Sequence, residues 1–263
     1  MMTEANTAQT LAAGIIQRQR RAIANGLSLV EARGLGSGAL VSALQDHLGN
    51  AAVLGLTGPP GAGKSTLVNA LIRALRQKCR RVAVLAIDPS SPISGGAILG
   101  DRIRMTAALD DDGVLVRSLG TRGSLGGLTP DAVRMIDILD AAGFDDIILE
   151  TVGTGQSEID VAEIADVVTV VAAPGLGDGI QAMKSGLLEM ADVIVVNKAD
   201  QPGAARTREE LGAALSRRAE PRANGVLMTS ALSGEGVDML ATVIGDLAAT
   251  HLTQDVSVRR RQV

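Results

Sequence analysis

From residue 51 onward, short apolar runs alternate with longer stretches whose apolar residues recur at intervals of three and four. The runs AVLGLT (52–57), RVAVLAI (81–87), VLVRSL (114–119), DIILE (146–150), VVTVVAA (167–173), DVIVVN (192–197) and GVLMTS (225–230) read as strands. Helical segments separate most of them, beginning near Lys64, Pro130, Ala204 and Gly236. This alternation predicts right-handed βαβ units around a mostly parallel sheet, flanked by helices that cover both faces. Residues 8–48 differ: TLAAGIIQRQRRAIANGLSLVEARG and ALVSALQDHLGN have helical spacing and no strand-like alternation. The pattern divides the chain into a small helical region (1–50), an α/β domain (51–249) and a polar tail (250–263).

Composition narrows the functions available. The chain has 263 residues, is 46% hydrophobic and has a mean hydropathy of +0.24, enough to bury a substantial core. Net charge is −4, and one Phe with no Tyr or Trp leaves single-stranded bases almost nothing to stack on. No nucleic-acid partner is expected. No apolar run is long enough to cross a bilayer, and the start, MMTEANTAQT, has no apolar signal core. These features predict a cytoplasmic protein with no membrane partner. One cysteine, Cys79, and two distant histidines, His47 and His251, provide neither a disulfide nor metal-ligand spacing.

The most specific chemistry follows AVLGLT. The segment GPPGAGKST runs through Pro60, Gly61, Ala62, Gly63, Lys64, Ser65 and Thr66. It is a G-x-x-x-x-G-K-[ST] phosphate loop between a strand and a helix. Its glycines let backbone N–H groups turn inward around phosphates. Lys64 adds a positive charge near the β- and γ-phosphates, and the Ser65 hydroxyl is placed to ligate Mg²⁺. Carboxylates at strand ends can complete a magnesium set: Asp88 closes one strand and Glu150 another. Glu150 also opens an acid-x-x-Gly run ending on Gly153, whose N–H would read a γ-phosphate. In GTPases that acid is usually Asp.

VIVVNKAD carries N-K-x-D as Asn197, Lys198 and Asp200. Asp200 can accept from guanine N1–H and the N2 amine, whereas adenine would leave its carboxylate unpaired. Asn197 is expected to bond another edge of the base, with the Lys198 stem packed alongside. Ser230, Ala231 and Leu232 match the short loop that backs the base in GTPases. In this order, the motifs favour GTP over ATP.

DPSSPISGGAILGDRIRM (88–105), RGSLGGL (122–128), ILETVGTGQSEIDV (148–161), GDGIQAMKSG (177–186) and VVNKAD (195–200) closely resemble the MeaB/MMAA (ArgK) family. These are P-loop GTPases of the SIMIBI class, and the likeness runs from about Gln17 to Leu247. The resemblance implies a GTP-hydrolysing chaperone of adenosylcobalamin-dependent acyl-CoA mutases, of the methylmalonyl-CoA mutase type. Such a protein gates cofactor loading and protects or reactivates the mutase. Cobalamin would be bound by the partner; the cobalamin adenosyltransferase is a further candidate partner. Matching motifs imply that Ser65, Asp88, Asp101 and Glu150 form the Mg²⁺ and switch set. They also imply that Gln181 and Lys184, in the glycine-rich segment GLGDGIQAMKSG, act with Lys64 and Glu150 in nucleotide-dependent catalysis and relay. Members continue into a C-terminal arm that builds a homodimer; this chain stops at RRRQV, so that homodimer is not expected. Pro92, Ile93 and Ser94 replace the family's usual TRT.

Three other readings share parts of this core. A GTP-dependent metallochaperone calls for His- or Cys-rich tracts, which the sequence lacks. A nucleotide-dependent scaffold would bind GTP with little hydrolysis. An ATP-dependent protein kinase is disfavoured by N-K-A-D.

Overall fold

The computed structural model describes residues 4–88, 111–120, 130–151, 157–177, 186–217 and 225–252. Seven strands form one sheet: β1 (Ala52–Thr57), β2 (Val82–Asp88), β3 (Val114–Gly120), β4 (Asp146–Thr151), β5 (Val167–Ala172), β6 (Val193–Val196) and β7 (Val226–Met228). Their order is β3-β2-β4-β1-β5-β6-β7, and every pairing is parallel. The helices are α1 (Glu4–Ile16), α2 (Arg20–Glu31), α3 (Ser37–Leu44), α4 (Lys64–Gln77), α5 (Pro130–Ala141), α6 (Ser157–Ile164), α7 (Leu188–Met190), α8 (Ala204–Leu215) and α9 (Val237–Leu252).

Both faces of the sheet are covered, which is why its strands read as continuous apolar runs. Along β5, Val168 and Val170 join one hydrophobic cluster, and Val167 and Val171 join the other. The first cluster lies under α5, α6 and α8. The second lies under α4 and α9. The register places Leu56 of β1 beside Glu150 of β4, so the acid of one strand reaches the loop leaving its neighbour.

The N-terminal helices extend the first cluster. Ile15, Ile23, Leu27, Val30, Leu40 and Leu44 are buried with α5 residues such as Ile138 and Leu139. Polar ties reinforce this contact. Asp140 accepts the backbone N–H groups of Gly49, Asn50 and Ala51 at 2.6, 3.1 and 2.9 Å. Arg33 pairs with Asp131 at 2.8 Å, and Arg117 of β3 pairs with Glu31 of α2. The stretch predicted as helical through QRQRR is interrupted. Arg18 adopts φ +62°, and its N–H turns back to Ile15 at 2.8 Å, ending α1 before α2 begins.

Candidate functional site

The phosphate loop leaves the carboxyl end of β1, at the centre of the sheet, and enters α4. Ligands bind parallel α/β sheets at this end. Gly58 makes the exit possible. It has φ +139°, and a Cβ there would meet the Val171 carbonyl oxygen at 2.1 Å. Gly63 caps α4 in the left-handed region without a side-chain cap, and the first turn carries no acidic residue. The positive end of the helix is therefore not neutralised by a local carboxylate.

Lys64 is buried, and its Nζ donates to the carbonyls of Gly58 at 2.7 Å and Pro59 at 3.2 Å. Its ammonium is thus held within the curve of the loop, where phosphate oxygens are the competing acceptors. The Ser65 hydroxyl donates to Glu150 Oε1 at 2.6 Å. Glu150 is 4% exposed at the end of β4. A hydroxyl and a carboxylate side by side are hard oxygen donors, the type that Mg²⁺ takes. These residues fit a magnesium site at the phosphate end.

The base end is built by β6 and β7. A cavity of about 100 Å³ is lined by Gly63, Thr66, Lys198, Asp200, Gln201 and Leu232 among others. Asn197, Ser230 and Ala231 complete its lining. The neighbouring Ser230 hydroxyl favours the charged form of the Asp200 carboxylate and lowers it from the usual carboxylate range. Asp200 is therefore an ionised acceptor at neutral pH. Lys198 adopts φ +58° as the chain turns away from β6.

The Asn197 side chain has partners within the chain itself. Its Nδ2 donates to the carbonyls of Ala62 at 3.0 Å and Gly63 at 3.3 Å. Its Oδ1 accepts from the Ala231 N–H at 3.1 Å and the Thr229 hydroxyl at 3.3 Å. The buried amide ties the phosphate loop to the loop behind the base cavity. Thr229 and Gln201 were not singled out from sequence. A hydroxyl at the end of an apolar strand, directly before Ser230, was the available signal for Thr229.

The structure thus brings Lys64, Ser65 and Glu150 together at one end of the site, and Asn197, Lys198, Asp200, Ser230, Ala231 and Leu232 at the other. Pro60, Gly61 and Ala62 lie in the loop itself. Thr66 faces the base cavity. Asp101, Gly153, Gln181 and Lys184 lie outside the described residues, as does the side chain of Asp88, which ends β2. No helix among the described residues is long and apolar enough to cross a membrane.

Comparison with known proteins agrees with this architecture. Residues 23–263 match the family described as Methylmalonyl Co-A mutase-associated GTPase MeaB. The chain is 51% identical over 196 residues to a putative GTPase of Pyrococcus horikoshii, covering 74% of this chain and 62% of the relative. It thus spans under two thirds of that relative's length. It is 39% identical to the GTPase ArgK of Escherichia coli, covering 100% of this chain and 81% of ArgK. The crystal structure of an LAO/AO transport system kinase superposes with a TM-score of 0.79 at 30% identity, covering 100% of this chain and 82% of that one. This chain belongs to the MeaB family of methylmalonyl-CoA mutase-associated GTPases.

Proposed function

We propose that the protein binds GTP, hydrolyses it slowly, and uses the cycle to serve an adenosylcobalamin-dependent acyl-CoA mutase. The observation that carries this reading is the cavity holding an ionised Asp200, bolted by Asn197 to a phosphate loop. Guanine offers that carboxylate two donors; adenine offers none in the same place.

With GTP bound, the phosphate-loop amides and the α4 N-terminus stabilise charge on the β- and γ-phosphoryl oxygens. Lys64 Nζ exchanges the Gly58 and Pro59 carbonyls for phosphate oxygens. Ser65 and Glu150, with Asp88 and Asp101, would hold a Mg²⁺, which when bound supplies further charge neutralisation. The Ser65–Glu150 bond keeps both oxygens in place at the phosphate end. Gly153 reads the γ-phosphate. Gln181 and Lys184, in the glycine-rich segment GLGDGIQAMKSG, relay the nucleotide state to the mutase, loading or protecting its cobalamin. The helical region 1–50 packs on the GTPase domain 51–249, and the protein acts in the cytoplasm.

The test is single-turnover phosphate release from GTP, with and without methylmalonyl-CoA mutase, using Lys64→Ala as the blank. Release above the blank, faster with the mutase, is the expected result. Release equal to the blank refutes hydrolysis, and equal rates with and without the mutase refute partner activation. Stabilisation by ADP but not GDP in a thermal shift would refute the guanine assignment.

A further inference from the structure

A second, larger cavity of about 530 Å³ lies at the far end of α4 from the phosphate loop, within the size range of small-molecule sites. Ile23, Val114, Leu115 and Phe144 give it apolar wall. Arg18, Arg20, Arg76 and Arg81 also line it, and Asp112 is the acidic residue among them.

Two of these arginines are already paired. Asp111 bonds Arg76 at both Nε and Nη2, at 2.8 and 2.9 Å. Arg20 donates to Asp112 at 2.9 Å. Arg18 and Arg81 have no carboxylate partner among the described residues. The nearby Asp145 carboxylate accepts the backbone N–H of Arg81 at 2.6 Å.

Arg81 is instead braced against the turn Ala142 to Phe144, and the Arg18 guanidinium lies beside the same turn. Arg81 Nη1 donates to the carbonyls of Ala142 and Gly143 at 3.1 and 3.3 Å, and its cation lies 4.8 Å from the Phe144 ring centroid. Gly143 has φ +71°, and a Cβ there would come within 2.9 Å of Arg18 Nη2. Burial, and then Arg18, push the Arg81 guanidinium below its usual value. Like charges near one another repel, and an anion between them relieves that repulsion. The first turn of α2 lines the same cavity and carries neither an acidic side chain nor a side-chain cap, which adds partial positive charge.

We propose that this cavity binds a small phosphorylated ligand, its phosphate held between Arg18 and Arg81 and its apolar portion against Ile23, Leu115 and Phe144. Guanidinium forks match phosphate oxygens in geometry as well as charge. The site is distinct from the nucleotide site. Lys64 opens α4 and Arg76 lies in its last turn, about 18 Å further along the helix axis.

The experiment uses the full chain saturated with a non-hydrolysable GTP analogue, so that the phosphate loop is filled. Phenyl phosphate, inorganic phosphate and benzoate are titrated by calorimetry. Phenyl phosphate is expected to bind saturably and more tightly than either of the others. Arg18→Gln and Arg81→Gln should each weaken it about ten-fold, while Arg18→Gln leaves affinity for the GTP analogue unchanged. Arg18 is exposed, so its variant decides the matter should Arg81→Gln fold poorly. Three results would overturn the proposal: no saturable binding, binding indifferent to Arg18→Gln, or benzoate binding as tightly as phenyl phosphate.

Discussion

Asn197 offers a test of how the two ends of the nucleotide site are coupled. Its side-chain amide is 1% exposed and bonds four groups on two loops. The orientation of the amide is set by its surroundings. Two carbonyls face one side, which must be the NH₂, and an N–H faces the other, which must be the oxygen. Asn197→Ala removes all four contacts. Those to Ala62 and Ala231 have good lengths, 3.0 and 3.1 Å. At about 1 kcal/mol for each, plus a small packing loss, we expect the protein without nucleotide to lose about 2–3 kcal/mol. Asn197→Asp is the sharper probe. It keeps the acceptor for Ala231 but turns a carboxylate oxygen toward the Ala62 and Gly63 carbonyls. It should therefore destabilise at least as much as alanine, although it is nearly isosteric. The assay is urea denaturation of both variants without nucleotide, followed by GDP calorimetry under conditions where each is folded. GDP affinity should fall in both, because the loops are no longer held in register. A loss below about 0.5 kcal/mol in the absence of nucleotide, with weakened GDP binding, would refute the reasoning. It would mean that Asn197 acts on the base and not on the loops.

Three further outcomes follow from the same geometry. Asp200→Asn should weaken GDP about 100-fold by calorimetry while leaving ADP binding nearly as it was; equal losses for both would remove the guanine assignment. Gly58→Ala should cost about 3 kcal/mol or more in denaturant stability, because its Cβ would lie 2.1 Å from a backbone oxygen that cannot rotate away. Burial holds the Asp146 carboxyl above its ordinary value, although Arg80 Nε bonds it at 2.5 Å. A carboxyl raised in the folded state opposes folding when ionised, and that penalty fades as pH falls from the raised value to the unfolded one. Arg80→Met leaves this carboxylate without its bonded guanidinium, so the variant should lose about 3 kcal/mol at neutral pH. The deficit should shrink as pH falls toward the ordinary carboxylate range; a deficit constant with pH would refute the assignment.

The residues reveal some of this protein directly and some not at all. All seven strands start within one residue of where the apolar runs place them, because a strand covered on both faces must be apolar at every position. The phosphate loop was equally plain, since its glycines, lysine and hydroxyl are required at fixed spacing. The break at Arg18 was not. Helical periodicity continues across it, and nothing in QRQRR marks a left-handed residue. Asn197 shows a second limit. Spacing tells which loop carries an amide but not which of several nearby partners it bonds, and here the chain's own carbonyls hold it. The arginine cavity shows a third. Arg18, Arg76, Arg81 and Phe144 come from separate segments, and nothing in any one segment marks them as neighbours. Their convergence follows from the parallel sheet. It brings the strands' carboxyl ends to the edge where the phosphate loop lies, and gathers the opposite ends of β2, β3 and β4, with the last turn of α4 and the start of α2, into a second concave surface. In a fold of this kind, the motifs that sequence displays mark one end of the sheet. Chemistry at the other end is assembled by topology, and it must be sought in the structure.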